Sequence, residues 1–152
     1  MKPRDSNDPV FNQLLSLIEE HGWAVRHVCA SDEPAFSYTV GLTAMKHPEI
    51  VMEGLPFEVA QAFLNLMGEE VKAGRRFSPG SITTDHTEPP APIAFIASEN
   101  IAGLTAVADV YGKVEALQAI WSDSTGRLPW EPSYRNAADT QPLLGPVPES
   151  FA

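Results

Sequence analysis

Two short stretches of this chain carry the residue types best suited to chemistry. One runs Trp121-Ser122-Asp123-Ser124-Thr125-Gly126-Arg127-Leu128-Pro129-Trp130. Two indoles there bracket a carboxylate, a glycine and a guanidinium. Asp123 can accept backbone N–H bonds in an Asx turn, which lets Gly126 take a positive φ. Arg127 can stack on Trp130 or pair with Asp123. As a site, the loop would offer aromatic walls and a planar cation to a small anionic or heteroaromatic ligand. As structure alone, it would be a self-packed surface loop. The other stretch is His47-Pro48-Glu49. The proline favours extended backbone at His47, and the pair reads as a general base with a carboxylate partner. Its plainer reading is a turn-capping imidazole and a strand carboxylate. Tyr38 is expected among apolar neighbours with its hydroxyl satisfied by a structural hydrogen bond.

Other constellations are weaker. His27 and Cys29 alternate onto one strand face, as two metal ligands would, but no CxxC, HxxxH or HExxH spacing accompanies them. Cys29 is expected to be buried beside Trp23 and Val25, and inert. No GxGxxG or GxxxxGK[ST] run occurs. The expectation is no metal and no cofactor.

The elements that must position these residues follow from periodicity. Asp8 as cap, Pro9 at the first position and Gly22 at the exit delimit a helix over 8–22, with a stripe of Val10, Phe11, Leu14, Leu15 and Ile18. Alternation predicts strands at 23–29 and 36–42, joined by a turn at Ser31-Asp32-Glu33-Pro34, and a further strand at 49–53. Phe57, Ala60, Leu64, Met67 and Val71 mark a helix over 56–74. A short strand near 82–84, a strand at 93–97, a short helix within 101–110 and a strand at 114–121 complete the order. The expected fold is one α+β domain over 8–144 with a mainly antiparallel sheet and helices packed on one face. An ordered, proline-rich C-terminal coil should wrap its surface. Residues 1–7 and 145–152 are expected as flexible or surface-wrapping tails.

Composition bounds the function. The chain has 152 residues, 43% of them hydrophobic, enough for a core. Twenty acidic residues against 10 basic ones give a formal charge of −10, which argues against general nucleic-acid binding and against docking on an anionic membrane. Glu19, Glu20 and His21 interrupt the early apolar run, so no signal peptide is expected. A cytoplasmic location is the expectation.

Gly22-Trp23, the YTVGL run Tyr38–Leu42, His47-Pro48-Glu49, Tyr111-Gly112 and the WxDxxGRxPW pattern of Trp121–Trp130 resemble the bacterial domain-of-unknown-function family 4262. The resemblance runs from Asp8 to Leu144 and implies a small single-domain bacterial protein. It supplies no catalytic residues, because the family carries no established activity. Ser122 stands where the resemblance implies proline.

Three functions remain open on the sequence. The first is a binding or regulatory module with Tyr38, Trp121, Asp123, Arg127 and Trp130 around a small anionic or aromatic ligand. The second is a small enzyme with His47 as acid or base and Glu49 as its partner. The third is an acidic protein-interaction factor, of immunity or anti-defence type, facing a basic protein. A homodimer is expected because a short sheet has two edges to protect. The site hypothesis brings His47 and the Trp121–Trp130 loop to one rim of the sheet.

Overall fold

The computed structural model describes residues 8–29 and 34–151. The expected tail at 1–7 and most of the turn at 31–34 lie outside the described residues.

Asp8 caps the first helix, α1 (Pro9–His21), accepting from the backbone N–H groups of Val10 and Phe11 at 3.0 and 3.2 Å. Gly22 ends it at φ 100°, donating its N–H to the Ile18 carbonyl. Strands β1 (Ala24–Val28), β2 (Phe36–Val40) and β3 (Glu49–Glu53) form an antiparallel meander. A 3-10 turn at Leu42–Met45 connects the last two. The long helix α2 (Phe57–Lys72) follows, then β4 (Ile82–Thr83), β5 (Ile93–Ala97), α3 (Thr105–Tyr111) and β6 (Ala116–Trp121).

The six strands lie in the order β1-β2-β3-β6-β5-β4. All neighbours are antiparallel except the central pair, where Glu49, Ile50 and Val51 run parallel to Ala116, Leu117 and Gln118. The fold is therefore α+β with a mainly antiparallel sheet. Among the described residues no helix is long and apolar enough to cross a membrane.

The helices do not share one face. Alternation along each strand sends side chains both ways. Ile50, Met52, Leu117 and Ala119 pack with Leu64, Met67 and Val71 of α2. Tyr38, Val40, Val51 and Ala116 pack instead with Phe11 and Leu14 of α1 and Val107 and Val110 of α3. The rest of that second face, Ala94, Ile96 and Ile120, is covered by Leu128, Trp130 and Phe151 from the C-terminal coil. The strands are buried on both sides, so each needed two covers. Single-face packing would have left Val51, Ile96 and Ile120 in water.

Cys29 also departs from expectation. Strand β1 stops at Val28, and Cys29 beyond it is exposed. Its shared parity with Trp23 counts for nothing once the ladder and the cover of α2 have ended.

Candidate functional site

The Glu49 carboxylate is fully buried at the start of β3. It accepts five hydrogen bonds, from the hydroxyls of Thr39 (2.8 Å) and Thr43 (2.7 Å) and the backbone N–H groups of Gly41, Leu42 and Thr43 (2.9–3.0 Å). Burial pushes its pKa up, and the hydrogen bonds pull the other way. The group binds its own chain, and its role is to fold the turn after β2. Gly41 at φ 139° makes that turn possible, because a Cβ there would meet the Gly22 carbonyl oxygen at 2.3 Å. The nearby Tyr111 phenol is pushed up to about 12 by burial and by the Glu49 charge.

His47 is buried with both ring nitrogens engaged. Nδ1 donates to the Pro48 carbonyl at 2.7 Å, so Nε2 is the unprotonated nitrogen and accepts the Phe77 N–H at 3.0 Å. Burial lowers its pKa, with Arg76 adding to the shift. An imidazole held this way has no nitrogen to offer a substrate proton.

Tyr38 is buried under α3, where its hydroxyl accepts the Ala106 N–H at 3.2 Å. The structural reading of this tyrosine is the one the geometry gives.

The Trp121–Trp130 loop is organised by Asp123. Its Oδ1 accepts from the Thr125 N–H (2.8 Å), the Thr125 hydroxyl (2.6 Å) and the Arg127 N–H (3.0 Å), and its Oδ2 from the Arg135 N–H (2.7 Å). Burial works against ionisation, but these hydrogen bonds prevail and hold the carboxyl well below the usual carboxylate range. Gly126 adopts φ 82°, as the Asx turn requires. The Arg127 guanidinium donates to the Thr125 hydroxyl at 3.2 Å rather than to Asp123. Trp121 packs on the α2 face and donates its indole N–H to the Glu53 carbonyl at 2.8 Å. Trp130 lies on the other face, stacked on Phe151 with ring centroids 5.2 Å apart. The two indoles straddle the sheet and form no common wall.

Nor do His47 and this loop share a rim. β3 and β6 run parallel, His47 precedes the first residue of β3, and Asp123 follows the last residue of β6. The two lie at opposite ends of the sheet, separated by roughly 17 Å of strand at ~3.3 Å per residue. The expected convergence assumed antiparallel neighbours, and the parallel register undoes it.

A buried polar cluster is invisible in the sequence. Glu70 on α2 meets His86 Nε2 at 2.5 Å, and His86 Nδ1 meets the Thr83 hydroxyl at 2.8 Å. Arg75 bridges Glu70 and Asp85 and lies over the Phe77 ring at 5.0 Å. A hydroxyl, imidazole and carboxylate in series could relay a proton. Here the His86 side chain is 1% exposed and Thr83 is buried, so the series staples β4 to the end of α2. Among the described residues no three His, Cys, Asp or Glu side chains are grouped to hold a metal. His27, one of the conceivable ligands, instead hydrogen-bonds Ser37 through Nδ1 at 2.6 Å.

A cleft of about 350 Å³ opens on the α3 face. Phe36, Val51, Leu104 and Leu144 supply its apolar walls, and Glu53 and Asn100 its polar groups. One wall is a strap, residues 141–144, held by two glutamines. The buried Gln118 donates to the Pro142 carbonyl (2.7 Å) and accepts the Leu144 N–H (2.8 Å). Gln141 in turn accepts the Trp121 N–H (3.2 Å) and donates to the Trp121 carbonyl (2.6 Å). Each side-chain amide imitates a strand neighbour. The WxDxxGRxPW segment thus meets the strap through the Trp121 backbone and contributes no residue to the lining of the cleft.

A six-stranded mixed sheet with helices on both faces and a clasped C-terminal strap defines a small α+β domain. The chain belongs to the family described as domain of unknown function (DUF4262), which it matches over residues 17–135. No curated protein and no solved structure matches it.

Proposed function

We propose that this protein is a bacterial, cytoplasmic binding module whose ligand enters the cleft between Phe36, Leu104 and Leu144. The observation that carries this reading is the cleft itself. Its volume falls within the range of small-molecule sites, and its walls are mostly apolar with a few polar groups. The aromatic half of the expected ligand fits these walls. The anionic half rested on Arg127, whose guanidinium is bound to Thr125 and does not line the cleft. An acid–base enzyme built on His47 and Glu49 has less support, because both side chains are spent on backbone and hydroxyl groups. A fragment library followed by amide chemical shifts tests the proposal. Hits should perturb Gly103, Leu104 and Leu144 together. Hits confined to the Arg127 loop would move the site back there.

A homodimer is proposed alongside. β1 is an edge strand, and α1 beside it exposes Val10 (54%) and Leu17 (36%). Light scattering should give twice the chain mass, and Leu17→Asp should return the monomer. A monomer at all concentrations in the native protein would end this part of the reading.

A further inference from the structure

We infer that the homodimer is built by β1 pairing antiparallel with β1 of a second copy, centred on Val25, so that the two sheets continue as one. The inference rests on the homodimer reading above and adds the surface and the register of the contact.

β1 is the outermost strand on its side of the sheet, with β2 on one of its edges. The other edge carries the outward N–H and C=O groups of a strand, a template for a further strand. Ala24–Val28 holds no proline and no glycine, and its one fixed charge is Arg26. Open space runs along this edge. One hollow of about 410 Å³ lies between α1, α2 and Trp23–Val25, and another of about 200 Å³ between α1 and Ala24–Arg26. Leu17, Ala24 and Val25 line both, so the two meet as one groove with Ala24 and Val25 at its middle. Val10 and Leu17, both exposed on α1, give the groove an apolar wall. A strand laid there gains ladder hydrogen bonds from β1 and covers both side chains.

Charge selects the occupant and its register. Arg26 stands opposite Tyr38 and Ala24 opposite Val40, so both face the α1 side of the sheet. Among the described residues no hydrogen bond or ion pair engages the Arg26 side chain. Glu20, exposed on α1, lines the groove with Ala24 and lies 3.7 Å from the exposed His21. A two-fold axis through an antiparallel pair sets each residue against one of the same parity. Centred on Arg26, it would set guanidinium against guanidinium, and like charges directly opposite destabilise. Centred on His27, it would slide the strands away from the middle of the groove and set Arg26 against Val28. Centred on Val25, it sets Val25 against itself and brings Arg26 of the partner subunit over Ala24, beside Glu20. Base and acid in one groove are then self-complementary, as an isologous contact requires. A foreign peptide would have to supply the opposite charges in the same order; a second copy already carries them.

Cysteine placement reads the register. In a Cys29→Ser background, Val25→Cys should form an intermolecular disulfide under mild oxidation, since directly opposed residues have Cβ atoms about 4.5–5.5 Å apart. His27→Cys should not, because its two copies would stand about 13 Å apart along the strands. A charge exchange reads the contact. By sedimentation, Arg26→Glu and Glu20→Arg should each raise the dimer dissociation constant about tenfold, because the pair is made twice across the axis. The double variant, Arg26→Glu with Glu20→Arg, should restore it. A native dimer that links at position 27 as readily as at 25, or whose double variant is no tighter than the single ones, would overturn the β1 inference and leave the homodimer reading standing. A native monomer at all concentrations would overturn both.

Discussion

His47 Nε2 and the Phe77 backbone N–H meet at 3.0 Å, joining the turn before β3 to the segment that leaves α2. The bond locks the imidazole in one tautomer and removes it from acid–base work. Its removal has a defined consequence. His47→Ala should orphan the buried Phe77 N–H and destabilise the fold by about 1–3 kcal/mol.

The same residue shapes the pH response. Burial depresses its folded-state pKa below 6.5. The unfolded chain then binds more protons in the window between the two values, so stability is full above 6.5 and is lost as pH falls through the folded value. Melting temperature against pH should lose this slope in His47→Gln. An identical slope in the variant would assign the titration elsewhere.

Glu49→Ala strips five hydrogen bonds from buried donors and should destabilise by at least about 3 kcal/mol. The vacated cradle has the shape of a carboxylate site. Millimolar formate or acetate should raise the melting temperature of the variant more than that of the native protein. Equal effects on both would mean the turn collapses once its anchor is gone.

Gly68→Ala should act against propensity. In an exposed helix interior this change stabilises by about 0.8–1 kcal/mol. Here the new Cβ would sit 2.6 Å from the Trp23 ring, which Asn65 holds through the indole N–H at 3.0 Å. Overpacking should prevail, with a net loss of roughly 1–3 kcal/mol by denaturant titration. A gain would show that the ring can slide.

Asp123→Asn should lower stability at neutral pH without moving the β6 backbone. The native carboxyl is depressed, so its contribution is full above its ordinary pKa of 3.8 and fades as pH falls through the folded value. The gap between native and variant melting temperatures should close on acidification. Arg127→Ala, which loses one bond to Thr125, should shift stability by less than about 1 kcal/mol.

Much of the fold is legible in the sequence. Glu49–Glu53 and Ile93–Ala97 read correctly to the residue because β-branched and aromatic runs end at glycine, serine or proline. The Asp8 cap and Gly22 exit are equally local signals. Strand partners are not local. Nothing near Glu49 or Ala116 announces that β3 and β6 pair in parallel, and that one fact separates His47 from Asp123. The Asx turn at Asp123 was readable from spacing, whereas the Glu70–His86–Thr83 series joins three segments with no sequence signature. The cleft was equally hidden, since its walls come from β2, β3, the loop before α3 and the C-terminal strap.

The parallel pairing at the centre of the sheet also orders events in time. β1, β2 and β3 are consecutive and can zip through short loops. β6 reaches β3 only after α2, β4, β5 and α3 have been laid down, so the central ladder closes a long stretch of chain. Until it does, β3 is an open edge carrying Ile50, Val51 and Met52, all fully buried at the end. The exposed interval of this protein's folding is therefore its middle, and a nascent chain still lacking β6 presents its stickiest strand to its neighbours.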